Sequence, residues 1–215
     1  MNLLARWKGK GLKNRLLNPQ DEFWDRRLGV RTFGFISAVG TVADADWQGH
    51  YTPTPYRDVF ALLRHVGVGP GDVFVDLGCG LGRVVFAANR FGATRSVGVE
   101  IDPPLAAQCL ESAQRGGYAQ GSVDFICAPA QTYSHVDTTV LFMFHPFGAG
   151  TLRTVVEALD DALDARPRPL SVIYLNPVFE EVLRESRHLK QVGHWPFRDA
   201  TRFSGERYPV SFWRA

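Results

Sequence analysis

Three closely spaced glycines with an aspartate before them have the residue types and spacing to bind a small charged ligand. They lie in the stretch VDLGCGLGR, residues 75–83, and are Gly78, Gly80 and Gly82. Because glycine has no Cβ atom, the backbone can turn sharply there and a ligand can lie against it. Asp76 can accept hydrogen bonds from a cationic amine or from N–H groups of the loop. The stretch therefore predicts a ligand-binding loop.

A second carboxylate, Glu100, stands in the sequence GVEID, residues 98–102. A carboxylate at a strand end can bind both hydroxyl groups of a ribose. The glycine spacing is G-x-G-x-G, whereas dinucleotide-binding loops have G-x-G-x-x-G, and Arg83 occupies the place of the third dinucleotide glycine. Asp76 would repel a pyrophosphate but suits the amino-acid end of S-adenosylmethionine (SAM). The residues favour SAM as the cofactor, and a nicotinamide dinucleotide is the alternative.

The segments around these residues alternate between short apolar runs and stretches of helical spacing. Strands are predicted at residues 73–77, 96–101, 123–127, 139–144 and 170–175. Helices are predicted at residues 57–66, 83–91, 104–115, 151–163 and 178–186. Two tail segments, 188–194 and 208–213, predict a closing hairpin that adds an antiparallel edge strand. The fold class is therefore α/β, a Rossmann-like, mostly parallel seven-stranded sheet with helices on both faces.

Residues 1–50 are predicted to be a helical N-terminal extension, and residues 51–215 the ligand-binding domain. Residues 1–35 contain eight of the 24 Lys and Arg of the chain but only three of its 22 acidic residues. Such a basic arm can attract nucleic acid or an anionic membrane. The favoured interpretation is an amphipathic capping helix, because no aromatic stacking platform accompanies the charges. Its apolar face would consist of Leu3, Leu4, Trp7, Leu12 and Leu16.

Composition excludes several other classes. The longest apolar runs, such as residues 140–144, are too short to cross a bilayer, and no secretory signal is expected. The three cysteines are an odd number and lack the paired spacing of a zinc site, and the histidines are dispersed, so no metal site is predicted. The expected location is the cytoplasm.

Residues 73–144 resemble the class I, seven-strand SAM-dependent methyltransferases through VFVDLGCGLGR and GVEID. FWDRRLGVRT at 23–32, YTPTP at 51–55 and FHPFG at 144–148 look like those of small bacterial methyltransferases with largely unassigned substrates. YTPTP together with DLGCGLGR is also similar, more distantly, to seven-strand protein-lysine methyltransferases. In that family the segment before the first strand folds over SAM. The resemblance therefore implies that Tyr51, Thr52 and Thr54 contact the methionine end, with a purely structural turn as the alternative.

The resemblance also implies the rest of the cofactor site. Its expected members are Asp76, Gly78, Cys79, Gly80, Gly82, Arg83, Glu100, Ile101 and Phe144, with Cys79 contributing its backbone. The family usually places an acidic residue near the adenine amine after the third strand, but this chain has CAPAQ at residues 127–131. Adenine is therefore expected to be held by backbone groups from Ala128 to Ala130 or by Gln131.

The acceptor side of the site is expected at FHPFG, which ends the fourth strand. The SAM sulfonium makes the methyl group electrophilic, so the protein must hold a nucleophile in line and free of its proton. His145 is a candidate general base, and a hydrogen bond to the backbone beside Pro146 is its alternative role. Phe144 and Phe147 are candidates to wall the methyl channel or to stack on the substrate, with core packing as the alternative for Phe144. Asn176, after the fifth strand, is either a polar group of the site or a helix N-cap.

The predicted function is methyl transfer to a nitrogen or oxygen acceptor, either a protein lysine or a small molecule. RNA is less favoured, because the Asn-Pro-Pro-Tyr or Asp-Pro-Pro-Tyr motif used for exocyclic amines is missing. Two further alternatives are a non-catalytic SAM-binding module and an NAD-dependent oxidoreductase. The glycine spacing disfavours the oxidoreductase. The oligomeric state does not follow from the sequence.

Overall fold

Strands and helices alternate along most of the chain, as the sequence predicts. The computed structural model describes residues 19–33, 36–37, 50–51, 53–196 and 208–215. The predicted amphipathic face at Leu3, Leu4, Trp7, Leu12 and Leu16 lies outside the described residues, and so does Thr52. A two-stranded ladder crosses the predicted boundary at residue 50, because Ile36 pairs with Tyr51 and Ser37 with His50.

The described elements follow one another in this order. The first four are α1 (Pro19–Leu28), β1 (Ile36–Ser37), β2 (His50–Tyr51) and α2 (Tyr56–Val66). The next five are β3 (Val73–Leu77), α3 (Arg83–Phe91), β4 (Arg95–Glu100), α4 (Pro103–Arg115) and β5 (Val123–Cys127). A 3-10 turn (Ala130–Thr132), β6 (Val140–Phe144), α5 (Ala149–Ala165), β7 (Ser171–Leu175) and α6 (Glu180–Arg184) follow, and the last strands are β8 (Lys190–Pro196) and β9 (Pro209–Arg214).

The main sheet has seven strands in the order β5-β4-β3-β6-β7-β9-β8. The five strands from β5 to β7 in this order are parallel, and β9 runs antiparallel to both of its neighbours. The predicted sheet is therefore confirmed, but the antiparallel strand lies inside the sheet and not at its edge. The chain moves outward from β3 to β5 and then returns to β6 on the other side of β3. Ligands bind at the carboxyl ends of the strands at such a point of reversal.

Side chains of β3 alternate between two apolar cores, one on each face of the sheet. Phe74 belongs to the core beneath α2 and α3, whereas Val75 and Leu77 belong to the core beneath α5. Strands of a parallel sheet covered on both faces are apolar along their whole length. Asp76 breaks this rule, because it is buried with 3% of its surface exposed. A buried carboxylate at the carboxyl end of a central strand marks this edge of the sheet as a functional region.

Helix α4 begins in the way its sequence predicts. Asp102 is the N-cap and its side chain accepts a hydrogen bond from the Leu105 N–H at 3.0 Å. Pro103 and Pro104 occupy the first turn, where their missing N–H groups have no helical partner to lose. This start fixes the backbone that directly follows Glu100.

Helix α6 is shorter than predicted, and the reason lies at Asn176. This residue has a φ of 52°, and its carbonyl accepts a hydrogen bond from the Val178 N–H at 2.8 Å. The chain therefore makes a tight turn before the helix begins. The N-cap is Phe179, with no side-chain capping bond, so the interpretation of Asn176 as an N-cap is wrong.

Candidate active site

The glycine-rich loop joins β3 to α3 in a conformation that requires glycine. Gly78, Gly80 and Gly82 have φ values of 74°, 55° and 76°. A Cβ atom on Gly82 would lie 2.6 Å from the Phe125 ring, so any side chain there would clash. The Gly78 and Cys79 N–H groups donate to the Val99 carbonyl at 2.8 Å and 3.1 Å. The loop is thus tied to β4, and the Cys79 N–H is engaged within the protein.

Glu100 holds the middle of this loop from the end of β4. Its Oε2 accepts a hydrogen bond from the Gly80 N–H at 2.7 Å, and its Oε1 accepts one from the Asp102 N–H at 3.0 Å. Burial raises the pKa of Glu100, and the N–H groups of Asp102 and Gly80 oppose that rise. The Ile101 N–H also opposes the rise. Each carboxylate oxygen can accept more than one hydrogen bond, because it has two lone pairs. The arrangement fits the two hydroxyl groups of the SAM ribose.

Asp76 gives the site its charge preference. Burial raises the pKa of Asp76 well above its usual range, and the charge of Glu100 raises it further. A cation beside two mutually repelling carboxylates stabilises their ionised forms. These two acceptor groups therefore fit the amino group of SAM, which donates hydrogen bonds, and do not fit a pyrophosphate.

The Arg83 side chain, expected at the cofactor site, forms its hydrogen bonds within the protein. Its guanidinium group is buried and turned toward the N-terminal segment. It donates from Nη1 to Asp21 Oδ2 at 2.8 Å and from Nε to Thr32 Oγ1 at 2.8 Å. These partners engage the side chain, and a direct contact between Arg83 and the cofactor stays a prediction.

The turn before α2 is connected to the loop through the same arginine. The carbonyl of Thr54 accepts a hydrogen bond from Arg83 Nη1 at 3.3 Å, and Thr54 itself is buried. The backbone of Tyr51 is held in the small ladder by its pairing with Ile36. The segment that was expected to cover the methionine end of SAM is thus anchored next to the glycine-rich loop.

The expected adenine side lies at the carboxyl end of β5. The Ala128 N–H donates to the Glu100 carbonyl at 3.1 Å, which continues the sheet past β5. Ala130 opens the 3-10 turn, and Gln131 and Ile101 are partly exposed. The site residues expected after the second and third predicted strands therefore meet at one edge, beside Glu100.

The expected acceptor residues occupy matching positions on neighbouring strands. Phe144 of β6 pairs with Leu175 of β7, and His145 and Asn176 are the residues that follow. Both have positive φ values, 38° and 52°, and no other non-glycine residue in the described part of the chain does. Backbone strain of this kind costs about 1–3 kcal/mol per residue and clusters at functional sites.

His145 is partly buried beside a tyrosine. Its Nδ1 lies 3.5 Å from the Tyr174 hydroxyl oxygen, and its ring centroid lies 5.5 Å from that of Phe179. Burial lowers the pKa of His145, so the ring is neutral at neutral pH. The alternative bond to the backbone beside Pro146 is not present among the described residues.

Two aromatic side chains flank His145 in the sequence and pack on opposite faces of the sheet. Phe144 packs against the core beneath α2 and α3 and meets the Tyr208 ring at a centroid distance of 5.2 Å. Phe147 packs against the core beneath α5. Both keep part of their surface exposed at the carboxyl edge of the sheet.

The sequence does not predict two features near the site, the contact of Tyr174 with His145 and the group of residues around Arg83. Tyr174 lies in a predicted strand, but its contact with His145 depends on the register of β6 and β7. The other group surrounds Arg83 and comes from segments up to 62 residues away in the chain. The sequence motif at residues 23–32 contains two members of this group, Asp25 and Thr32. The motif does not indicate which distant residues they contact.

Two further properties concern the part of the chain that the structure describes. No cluster of three or more His, Cys, Asp or Glu side chains there has the arrangement of a metal site. No helix there is both long and apolar enough to span a membrane.

Known proteins with similar sequences include methyltransferases. The family model of the histone methylation protein DOT1 matches residues 49–116. A protein-lysine N-methyltransferase of Saccharolobus islandicus is 30% identical over 120 residues, which cover 55% of this chain and 70% of that protein. A ribosomal protein L11 methyltransferase of Xanthomonas axonopodis pv. citri is 31% identical over 127 residues, which cover 58% of this chain and 37% of that protein. The chain thus spans well under half of this second relative.

Solved structures with the same fold include SAM-dependent enzymes. An RNA methyltransferase from Salinibacter ruber, in complex with S-adenosyl-L-homocysteine, is 26% identical with a TM-score of 0.53. The match covers 76% of this chain and 93% of that one. The magnesium protoporphyrin IX methyltransferase of Synechocystis PCC 6803, with bound SAM, has a TM-score of 0.56 at 14% identity, covering 74% and 77% of the two chains. This second likeness concerns the fold alone.

Proposed function

The chain belongs to the class I SAM-dependent methyltransferases, and we propose that its methyl acceptor is a lysine side chain of a protein. The observation that carries this proposal is the match to most of a protein-lysine N-methyltransferase. The match of residues 49–116 to the DOT1 family supports it, since it covers the turn, the glycine-rich loop and Glu100. The ribosomal protein L11 methyltransferase also has a protein as its named substrate.

The proposed role of the cofactor half of the site is to bind SAM and to orient its methyl group. SAM supplies a methyl group that is electrophilic because it is attached to a sulfonium. Asp76 and Glu100 would hold the amino group and the ribose hydroxyls, because both carboxylates are buried at this edge of the sheet and a carboxylate oxygen can accept more than one hydrogen bond. The glycine-rich loop lets the backbone approach, and Ala130, Gln131 and Ile101 would border the adenine. Holding both ends of an extended ligand fixes the position of its methyl group toward the acceptor.

The acceptor half has to provide an uncharged amine. A lysine ammonium has no lone pair and must lose a proton before it can attack. The Nδ1–H of neutral His145 can donate to the Tyr174 oxygen, which leaves Nε2 as the atom that accepts this proton. Burial raises the pKa of Tyr174 to about 12, so its hydroxyl group stays neutral and does not draw the histidine into its charged form. Asn176 would orient the amine from the neighbouring strand end.

The aromatic rings at this edge suit a long aliphatic side chain that ends in an amine. The Phe179 ring lies beside His145, and Phe144 and Phe147, which flank it in the sequence, are partly exposed like Phe179. Aromatic faces attract an ammonium group and pack against methylene groups. They would guide a lysine toward the methyl group and exclude water from it.

RNA is the second candidate acceptor. The solved RNA methyltransferase that shares 26% identity with this chain and aligns over nearly its own full length favours it. It ranks second because the chain has His145-Pro146-Phe147 where enzymes that modify exocyclic amines carry their Pro-Pro-Tyr motif.

A labelling experiment tests the acceptor class. Purified protein and SAM with a labelled methyl group are incubated with separate protein, RNA and small-molecule fractions, and Glu100→Gln serves as the cofactor-site control. We expect label in the protein fraction alone, released as methyl-lysine on acid hydrolysis. Label confined to RNA or to small molecules would overturn the acceptor class, and the absence of label from every fraction would favour a non-catalytic module. The cytoplasmic location stays a prediction, which fractionation of the source cells tests.

A further inference from the structure

Arg83 directly follows the glycine-rich loop and is among the largest fully buried side chains of the described residues. In addition to its bonds to Asp21 and Thr32, Nη2 donates to the Thr32 carbonyl at 3.4 Å. Its Nη1 also reaches the carbonyl of Thr54. One guanidinium group therefore contacts helix α1, the segment after it and the turn before α2.

A second layer of hydrogen bonds holds the partners of Arg83. Asp21 also accepts the Tyr56 N–H at 2.9 Å, so its two oxygens bridge α2 and α3. Asp25 accepts from the Tyr56 hydroxyl at 2.8 Å and from the Thr32 hydroxyl at 2.6 Å. We call Asp21, Asp25, Thr32, Tyr56 and Arg83 the Arg83 cluster.

The Tyr56 ring completes the cluster. The Arg83 Cζ lies 4.8 Å from its centroid, within range of a cation–π interaction. Burial raises the pKa of Tyr56, and the charge of Asp25 raises it further, so the hydroxyl group remains a donor. All five residues of the Arg83 cluster are buried.

A buried ion pair is a poor way to add stability, because removing two charges from water offsets most of their attraction. Such a pair instead fixes the relative positions of the segments that it joins. The planar guanidinium has donors in fixed directions, and a partner that moves out of position leaves a buried charge without a hydrogen bond. Arg83 is the first residue of α3, directly after Gly82, so its partners determine where the loop ends. Glu100 holds the middle of the loop and Arg83 holds its end.

Helix α1 lies outside the region that matches the DOT1 family, which begins at residue 49. Two of the cluster's acids, Asp21 and Asp25, belong to α1. The support for the loop therefore comes in part from a segment that this family model does not include.

We propose that Arg83 is a positioning residue which fixes the cofactor loop by anchoring it on α1, so that α1 is part of the cofactor-binding machinery. Through the Thr54 carbonyl it aligns the turn and the loop on the two sides of the methionine end. The proposal rests on the function proposed above in taking residues 78–82 as the SAM-binding loop and the turn before α2 as the cover of the methionine end.

The experiment compares Asp21→Asn with Leu163→Ala in the full chain. Asp21→Asn keeps the size of the side chain but removes the charge opposite Arg83. Leu163→Ala opens a cavity in the core beneath α5, where Leu163 is buried, and lowers stability without touching the Arg83 cluster. Three quantities are measured for each protein: the Tm without ligand, the Kd for S-adenosylhomocysteine by calorimetry, and amide hydrogen exchange of residues 78–82.

We expect Asp21→Asn to raise the Kd at least about tenfold, which equals about 1.4 kcal/mol of binding free energy. Exchange in residues 78–82 should accelerate in the same variant without ligand. Leu163→Ala should lower the Tm but leave both the Kd and the loop exchange at wild-type values. A Kd within twofold of wild type for Asp21→Asn, or equal losses of affinity in both variants, would overturn the proposal.

Arg83→Lys covers the case in which Asp21→Asn does not fold. It keeps the charge but not the fork of donors, so it should still raise the Kd and loop exchange, while a wild-type Kd would contradict the positioning role. If the wild-type protein itself does not bind S-adenosylhomocysteine, the cofactor assignment fails. The positioning of the loop is then still decided by the exchange data on the ligand-free proteins.

Discussion

Gly78 and Pro146 are in such close contact that a Cβ atom added to Gly78 would lie 2.5 Å from the Cβ atom of Pro146. Gly78 begins the glycine-rich loop, and Pro146 stands directly after His145 in the acceptor motif. The cofactor half and the acceptor half of the site therefore rest directly on each other. A shift of either one is passed to the other because packed groups at this distance have no room to yield.

Gly78→Ala tests this contact, and Gly121→Ala is its matched control. Gly121 has a φ of 83°, similar to 74° at Gly78, but a Cβ atom there would meet nothing within 4 Å. Gly121→Ala should therefore cost only the backbone strain, about 1–2 kcal/mol of the free energy of unfolding. Gly78→Ala should cost more and should also weaken SAM binding, as chemical denaturation and calorimetry would measure. Equal effects of the two substitutions would contradict a tight contact at Pro146.

Glu100→Gln should lower the affinity for SAM by about 10-fold to 100-fold, since hydrogen bonds to charged groups contribute about 1.5–3 kcal/mol each. An amide can accept through one atom only, so it cannot replace both oxygens of the carboxylate. Glu185→Gln, an exposed glutamate paired with Arg153, is the control and should bind SAM like the wild type. Isothermal calorimetry with SAM and with NAD measures the effect. NAD binding by the wild-type protein would contradict the assigned cofactor.

The affinity for SAM should fall as the pH is lowered while it is still above about 4, where ordinary carboxylates stay ionised. The raised pKa of Asp76 keeps a proton on this group at a pH where exposed aspartates have lost theirs. A cationic ligand prefers the ionised form, so affinity is present above the raised pKa and is lost as the pH falls through it.

The same shift has the opposite sign for the stability of the ligand-free protein. A carboxyl group whose pKa is raised by folding contributes stability at low pH that is lost as the pH rises through the folded-state value. The increase in Tm caused by SAM should therefore grow with pH. In Asp76→Asn the pH dependence of binding should be weaker, and an unchanged dependence would contradict its assignment to Asp76.

His145→Gln should lower kcat by about 10²-fold to 10⁴-fold if the ring removes the proton of the acceptor. Because burial lowers the pKa of His145, the wild-type rate should rise with pH through a value below about 6.5. This limb should be absent in the variant, and Tyr174→Phe should shift it.

His194→Gln is the control for this measurement, because His194 is exposed on β8. It should leave the rate profile unchanged when label transfer to the protein fraction is measured. A wild-type kcat and profile in His145→Gln would show that the enzyme acts by positioning alone.

Local sequence patterns predict the elements that border the proposed cofactor site. Strand β3, helix α3 and strand β5 have the expected bounds, because apolar runs and glycine turns are visible within a few residues. Asp76 and Glu100 can be placed for the same reason, since each lies at the carboxyl end of a strand. The sequence predicts too long a helix α6, because it does not indicate the tight turn at Asn176. The left-handed backbone of this residue depends on its packing at the strand end.

The contacts of Arg83 cannot be predicted from local sequence patterns. Its partner Asp21 is 62 residues away, and nothing in the sequence around either residue specifies the pairing. The distance between His145 and Tyr174 likewise depends on which strands are neighbours.

The position of β9 determines the order in which the last strands can join the sheet while the chain is being synthesised. Strand β9 lies between β7 and β8, so β8 can join the sheet only after β9, although it precedes β9 in the chain. The Asn176 N–H also needs the Pro209 carbonyl as its partner, at 2.8 Å. When residues 1–196 have been synthesised, every residue assigned to the cofactor is present in the chain. The acceptor edge still lacks β9 and the Pro209 carbonyl that accepts from Asn176. The nascent chain should gain the ability to bind SAM before it gains the ability to transfer a methyl group.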